Sequence, residues 1–103
     1  MRNLIFKTEY LGLIREGKKT QTIRVWPKMP RHTLGEVITA SNYKQKLRLK
    51  LIAMYMKKVM DLTESEAIRD GFNNTAELFS VILKLYGRES LNAQCVVIRF
   101  ERI

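Results

Sequence analysis

The chain is poor in the residues that staple small folds: one cysteine, one histidine and two prolines in 103 residues. Cys95 has no partner for an internal disulfide, and His32, far from it in sequence, cannot build a metal-ligand cluster with it. A disulfide framework and a structural zinc site are thereby excluded. Long apolar runs are also missing. The longest, Leu51 to Met56, is six residues, against the ~20 that a membrane-crossing helix needs. The N-terminus carries no signal-type apolar core, so the expectation is a soluble, cytoplasmic protein with no membrane partner. The length suits one domain spanning residues 1–103, and 46% apolar with 28% charged residues is an ordinary globular composition.

Acidic residues are scarce as well, ten against nineteen Lys and Arg, for a net charge of +9. The imbalance is regional. Residues 1–60 hold fourteen basic and three acidic side chains, whereas residues 61–103 hold five basic and seven acidic ones. A positive field on one part of a small domain favours phosphate-bearing partners, because contact with a nucleic acid releases its condensed counterions. RNA or a nucleotide is the partner this charge predicts, and a solubilising surface is the plain alternative.

Hydrophobic spacing then predicts the elements. Asn3 to Lys7 reads as a short strand. Thr8 stands as cap of a two-turn helix with Tyr10, Leu13 and Ile14 on one face, and Gly17 supplies the left-handed stop. Lys18 to Arg31, basic and holding Pro27 and Pro30, reads as loop or edge strand. Glu36 to Ser41 is a strand after a turn at Gly35. From Lys46 to Leu51 alternation is strict, with Leu47, Leu49 and Leu51 inward and Lys46, Arg48 and Lys50 outward. The apolar parity changes after Leu51, which predicts a bulge that turns the strand around a corner. Thr63 with Glu66, and Asn74 with Glu77, have capping-box spacing. They open one helix ending at Gly71 and another with Leu78, Ile82 and Leu85 inward, ending at Gly87. Cys95 to Phe100 is the last strand. Strands and helices in this order, without regular βαβ alternation, predict an α+β fold with a bent mixed sheet, barrel-like, and flanking helices.

Gly12 to Lys19 matches a phosphate-binding P-loop through its glycines and lysine, but Lys19 occupies the position where Ser or Thr must hold the metal. Gly12 also lies inside a helix, where that motif opens one. The run Gly17-Lys18-Lys19-Thr20-Gln21-Thr22-Ile23-Arg24 has a different likeness. G-x-K-x-x-T-x-R directly after a short N-terminal helix resembles the signature of the ASCH domain, a small module similar to the PUA-like RNA-binding fold. The resemblance extends over nearly the whole chain, through Gly71 and Phe72, the helix to Tyr86 and the strand Val96 to Phe100. It implies a bent β-barrel-like sheet with a cleft into which the motif residues point.

Within that family the chain is most similar to the single-domain N4-acetylcytidine amidohydrolases. Their catalytic Lys and Thr fall on Lys19 and Thr22, and the Glu of an E-L-x-x-V-I-x-x-x-Y helix falls on Glu77. The stretch Val25 to His32 departs from the pattern. Such chemistry asks Lys19, lowered from its ordinary value near 10.4 by burial and the positive neighbours Lys18 and Arg24, to take the proton of Thr22. Glu77 would protonate the leaving amine, Arg24 or backbone N–H groups at Gly17 would hold an oxyanion, and no metal or other cofactor is required. The first expectation is nonetheless binding of RNA or a nucleotide or nucleoside, with Gly17, Lys18, Lys19, Arg24, Trp26, Lys28, Arg31, Lys46, Arg48 and Lys50 as contacts, because an uncharged nucleoside does not account for the positive charge. A ribonuclease is a third reading. Plainer roles stand beside these: Glu77 as a helix cap, Thr22 as a β-branched strand residue, Trp26, Tyr43 and Tyr55 as core or rim, Met54, Met56 and Met60 as core filler, and His32 as a surface residue. All the cleft readings require Lys19, Thr22 and Glu77 to meet in one hollow.

Overall fold

The computed structural model describes residues 3–42 and 44–103; Tyr43 lies outside the described residues. Its frame is one five-stranded sheet formed by β1 (Asn3–Ile5), β2 (Gln21–Arg24), β3 (Val37–Ser41), β4 (Lys46–Lys58) and β5 (Gln94–Arg102), in the spatial order β1-β3-β4-β5-β2. β1 runs parallel to β3 and every other pairing is antiparallel, so the sheet is mixed as expected. Helix α1 (Thr8–Arg15) links β1 to β2, while α2 (Glu64–Arg69) and α3 (Thr75–Tyr86) link β4 to β5. None of these helices is long and apolar enough to cross a membrane.

The alternation in β4 works as the residues dictate. Leu47, Leu49 and Leu51 are buried and Lys46, Arg48 and Lys50 exposed. The register against β5 shifts between Leu51 and Ala53, the bulge that the change of parity predicts. An extra residue on one strand raises the local twist and bends it, so the second half of β4 faces a different set of partners. Two cores result. Leu4, Phe6, Leu11, Ile14, Leu49 and Phe100 belong to one, and Val59, Leu62, Ala67, Leu78, Ile82 and Val97 to the other. β5 separates them, and its residues Cys95 to Ile98 are all fully buried because both of its faces are covered.

The bend carries the two edge strands toward each other. Arg24 of β2 donates from Nη2 to the backbone oxygen of Ile5 in β1 at 2.9 Å, a contact between opposite edges of the sheet. The sheet is therefore barrel-like, closed at this seam by a side chain where a ladder would otherwise run.

Several local expectations need correction. Thr8 is the first residue of α1 rather than its cap; Lys7 holds the cap position with no side-chain bond, and Leu11 joins Ile14 as the buried pair. Leu85 and Met60 are exposed, at 55% and 51%, because α3 turns its last turn away from the core and Met60 sits in the short turn after β4. His32 is not a surface residue: its side chain is 9% exposed and lies 3.5 Å from Glu36. Thr63 and Glu66 form a complete capping box, whereas Asn74 caps α3 from one side only, accepting from the Glu77 N–H at 2.8 Å.

Glu66 does more than cap. Its buried carboxylate accepts from Lys57 at 2.8 Å, from the Thr63 N–H at 2.8 Å, and from the Tyr55 hydroxyl. Burial alone would raise its pKa, but the hydrogen bonds from Lys57, Tyr55 and Thr63 outweigh it and hold the group at about 2, below the ordinary 4.5. A carboxyl depressed on folding stabilises the protein above its unfolded value and loses that contribution as pH falls through the folded one. Glu66→Gln is expected to cost about 3 kcal/mol in urea unfolding at pH 7, with the difference from the parent shrinking between pH 4.5 and about 2. A difference independent of pH would show that shape, not charge, is what Glu66 supplies.

Candidate functional site

The motif loop is positioned by backbone hydrogen bonds at both its ends. Gly17, at φ 79°, reverses the chain after α1, a conformation that residues with a Cβ resist. The N–H groups of Lys18 and Lys19 then donate to the Leu13 oxygen at 2.9 and 3.2 Å, and the Thr20 N–H donates to Arg69 at the end of α2 at 2.8 Å. Lys19 is thus fixed between the C-terminal ends of two helices. The turn it faces is equally tight. Gly71 has φ +99°, a backbone conformation that favours glycine, and a Cβ there would press on Leu13 Cδ1 at 3.2 Å and touch Lys19 Cβ at 3.6 Å, so α2 ends packed directly against the motif.

Lys19 is 4% exposed and Asp70 6%. The ammonium donates to Asp70 Oδ1 at 3.0 Å and to the Asp70 backbone oxygen at 2.9 Å, and it lies 5.2 Å from the centre of the Tyr10 ring. Burial lowers the Lys19 pKa, Asp70 opposes that by charge and hydrogen bond, and Arg24 adds to the lowering. Burial likewise pushes Asp70 up, to about 6 from 3.8, with Lys19 and Arg24 resisting. The two groups titrate as a coupled pair. Lys18, by contrast, is exposed and pairs with Glu16 at 3.3 Å, so it takes no part in tuning Lys19.

Thr22 and Arg24 follow on β2. Arg24 Nε donates to Thr22 Oγ1 at 3.1 Å, and the guanidinium lies 4.9 Å from the Phe6 ring centre and 6.0 Å from that of Trp26. Arg24 is held at every side: by the seam bond to Ile5, by Thr22, and by aromatic faces that favour cations.

These groups line one cavity of about 180 Å³ in the seam between the sheet edges. Lys19, Thr22, Arg24 and Asp70 form its polar wall; Phe6, Tyr10, Phe72 and Tyr86 are its aromatic walls, and Ile82 and Leu85 are among its aliphatic ones. Of the residues named from the sequence, the fold brings together Lys19, Thr22 and Arg24. Glu77 is not among the lining residues; it is exposed, with its carboxylate on Asn73 at 3.0 Å, so the expected meeting of Lys19, Thr22 and Glu77 does not occur. Trp26 is half-buried against the first core, and Gly17, Lys18, Lys28 and Arg31 lie exposed and off the cavity wall. Lys46, Arg48 and Lys50 are on the outer face of the sheet.

The carboxylate in the cavity is Asp70, which sequence reasoning passed over as a helix end. A signal was present: an acidic residue beside a helix-ending glycine sits at the negative end of the helix dipole and calls for a cation. Tyr86, which closes the E-L-x-x-V-I-x-x-x-Y pattern of α3, is an exposed wall of the cavity.

No protein-family model and no curated protein sequence matches the chain. Solved structures do. The hypothetical protein PH0355 superposes with TM-score 0.80 at 23% identity over 100% of both chains. An ASCH domain from Lactobacillus crispatus gives TM-score 0.79 at 13% identity, covering 98% of this chain and 78% of that one. An ASCH protein from Zymomonas mobilis gives 0.64 at 16% identity, covering 98% and 69%. At such identities what is shared is shape. The bent five-stranded mixed sheet with its three helices is the fold of these ASCH-domain structures.

Proposed function

We propose that the seam cavity binds the base of a nucleoside or nucleotide. The observation that carries this reading is the composition of the cavity wall: the aromatic rings Tyr10, Phe72 and Tyr86 together with the donors Lys19 and Arg24 and the Thr22 hydroxyl. A flat heterocycle needs that combination, stacking on rings and hydrogen-bonding through its edge. Size supports it. Pockets for drug-sized ligands run to roughly 300–1,000 Å³, and a cavity of about 180 Å³ admits one ring system and leaves sugar and phosphate outside. The Lys19–Asp70 pair supplies a donor and an acceptor at fixed positions, and of the four charged side chains that line the cavity, Lys7, Lys19 and Arg24 are cationic and Asp70 is the one carboxylate.

A hydrolytic reading is favoured by a separate observation, the arrival of Asp70 beside Lys19 and Thr22. In that reaction the Thr22 oxygen attacks an acyl carbonyl, its proton passing to the neutral Lys19 amine. The Arg24 bond to Thr22 favours the hydroxyl's loss of that proton. Asp70, with a pKa of about 6, gives its proton to the departing amine and is reprotonated by the Lys19 ammonium 3.0 Å away; the Lys19 amine so freed takes a proton from water, whose attack releases the acyl group, and passes that proton to the Thr22 oxygen. The acid of this scheme is Asp70, in place of Glu77.

The two readings separate in simple assays. Calorimetric titration with the four common ribonucleosides should show binding to at least one, weakened by about 1 to 3 kcal/mol in Tyr86→Ala through lost stacking and abolished in a Lys19→Ala, Arg24→Ala double variant. Binding unaffected by those changes would move the site elsewhere. Incubation with N4-acetylcytidine should yield cytidine if the hydrolytic reading holds, with turnover lost in Thr22→Ala and Asp70→Asn and kept in Glu77→Gln; absence of cytidine above background leaves binding as the function.

A further inference from the structure

Asp70 is the one carboxylate among the cavity's lining residues, and it caps the C-terminal end of a helix only six residues long. So short a helix does not hold its shape in water by itself. The place of Asp70 therefore depends on what ties α2 down. At the start of the helix, Glu66 binds Lys57 and Tyr55 of β4. At its end the tie is Gln21, a residue that no reading of the motif has used.

Gln21 is fully buried at the start of β2, between Lys19 and Thr22 in the sequence. Its side-chain amide makes two bonds, both to α2: Nε2 donates to the Glu66 backbone oxygen at 2.8 Å, and Oε1 accepts from Arg69 Nε at 3.2 Å. The same Glu66 oxygen accepts the Asp70 N–H at 3.1 Å, so the Gln21 amide and the Asp70 backbone meet at one atom. Only an amide satisfies both partners here. A carboxylate could not donate to the Glu66 oxygen, an ammonium could not accept from Arg69, and burying either charge costs free energy that a neutral amide does not. Gln21 is not among the residues that line the cavity, so it reaches a ligand only through what it holds.

We propose that Gln21 is the positioning residue of the seam site: its amide clamps the end of α2 onto the motif strand and so fixes the Asp70 carboxylate against Lys19. The clamp stands on the hydrogen bonds alone, whereas its effect on a ligand rests on the base-binding reading. Without it, the Glu66 oxygen and Arg69 each lose a partner, and the end of α2 keeps only the Thr20 N–H as its bond to the motif strand. Asp70 is then free to leave the seam for water. The charged groups facing it are Lys19 and Arg24, which favour its ionised form, with the Tyr10 hydroxyl close by; burial outweighs them and holds the carboxyl at about 6, above the ordinary 3.8. An Asp70 that leaves the seam loses the burial, and its carboxyl falls toward the ordinary value.

The test is a carbon-13 NMR titration of the aspartate carboxyls, of which the chain has two, Asp70 and the exposed Asp61 as internal reference. Gln21→Leu, close in size and unable to form either bond, should bring the Asp70 midpoint down from about 6 toward 3.8. It should also weaken the ribonucleoside that the parent binds by roughly tenfold, the loss expected for one hydrogen bond to a charged group. Arg69→Ala, at a half-exposed position, removes one of the two bonds and should move the midpoint the same way by less; it carries the test if Gln21→Leu does not fold. Val59→Ala, a cavity in the second core, should lower the melting temperature and leave the Asp70 midpoint in place. A midpoint unmoved in the folded clamp variants, or moved as far in Val59→Ala, would overturn the proposal. A lowered midpoint with parental nucleoside affinity would overturn its extension to the ligand. A lowered midpoint in a protein whose parent binds no nucleoside would leave the clamp standing and remove the base-binding reading.

Discussion

The ion pair between Lys19 and Asp70 is the constraint around which the molecule is arranged. Two charges removed from water cost several kcal/mol each before their attraction is counted, so such a pair persists only where geometry is held from outside. Here the holding is visible. The end of α1 takes the Lys18 and Lys19 N–H groups, the end of α2 takes the Thr20 N–H, and Gly71 lets the Asp70 turn approach without a Cβ in the way. The pair joins the first helix and the second across the seam where the sheet fails to close. Removing either partner would leave the other buried and uncompensated, a situation more costly than lacking both.

Arg24 completes that arrangement from the opposite side. The bulge after Leu51 bends β4, the bend brings edge strand β2 toward edge strand β1, and the guanidinium spans the remaining gap to the Ile5 oxygen. Sheet edges ordinarily present unpaired backbone groups and are hidden or blocked. In this chain the gap between edges is a cavity, and the residues that bridge it are those that can meet a ligand. Fold and site are therefore one design: the cations that close the sheet also form the cavity's polar wall.

Much of this was legible in the residues, for identifiable reasons. Strict alternation in Lys46 to Leu51 and its loss of parity afterwards state a half-buried strand and a bulge, because a strand has a period of two and nothing else restores it. Thr63 with Glu66 states a helix start through hydrogen-bond chemistry that operates over three residues. The ASCH likeness rested on the motif from Gly17 to Arg24, and the shape agrees. What the residues did not state was long-range. Asp70 and Lys19 are distant in sequence and meet only because two helices end side by side, so the carboxylate of the cavity went unread while Glu77, a residue with a local role as partner of Asn73 and Asn74, was placed there. Helical spacing puts Leu85 on the inward face with Leu78 and Ile82, and apolar character makes Met60 core filler, yet Leu85 is an exposed wall of the cavity and Met60 faces solvent; periodicity marks a face without saying where the element stops covering it.

The most direct test of the account is an amide NMR titration of the isotopically labelled protein with a saturating ribonucleoside that it binds. The account predicts that the shifted resonances cluster at Lys19 to Arg24, at Asp70 to Phe72 and at Leu85 and Tyr86, three segments far apart in sequence that meet only at the seam. Shifts confined to the outer face of β3 and β4, or to the loop from Pro27 to Leu34, with the Lys19 and Asp70 amides unmoved, would contradict it.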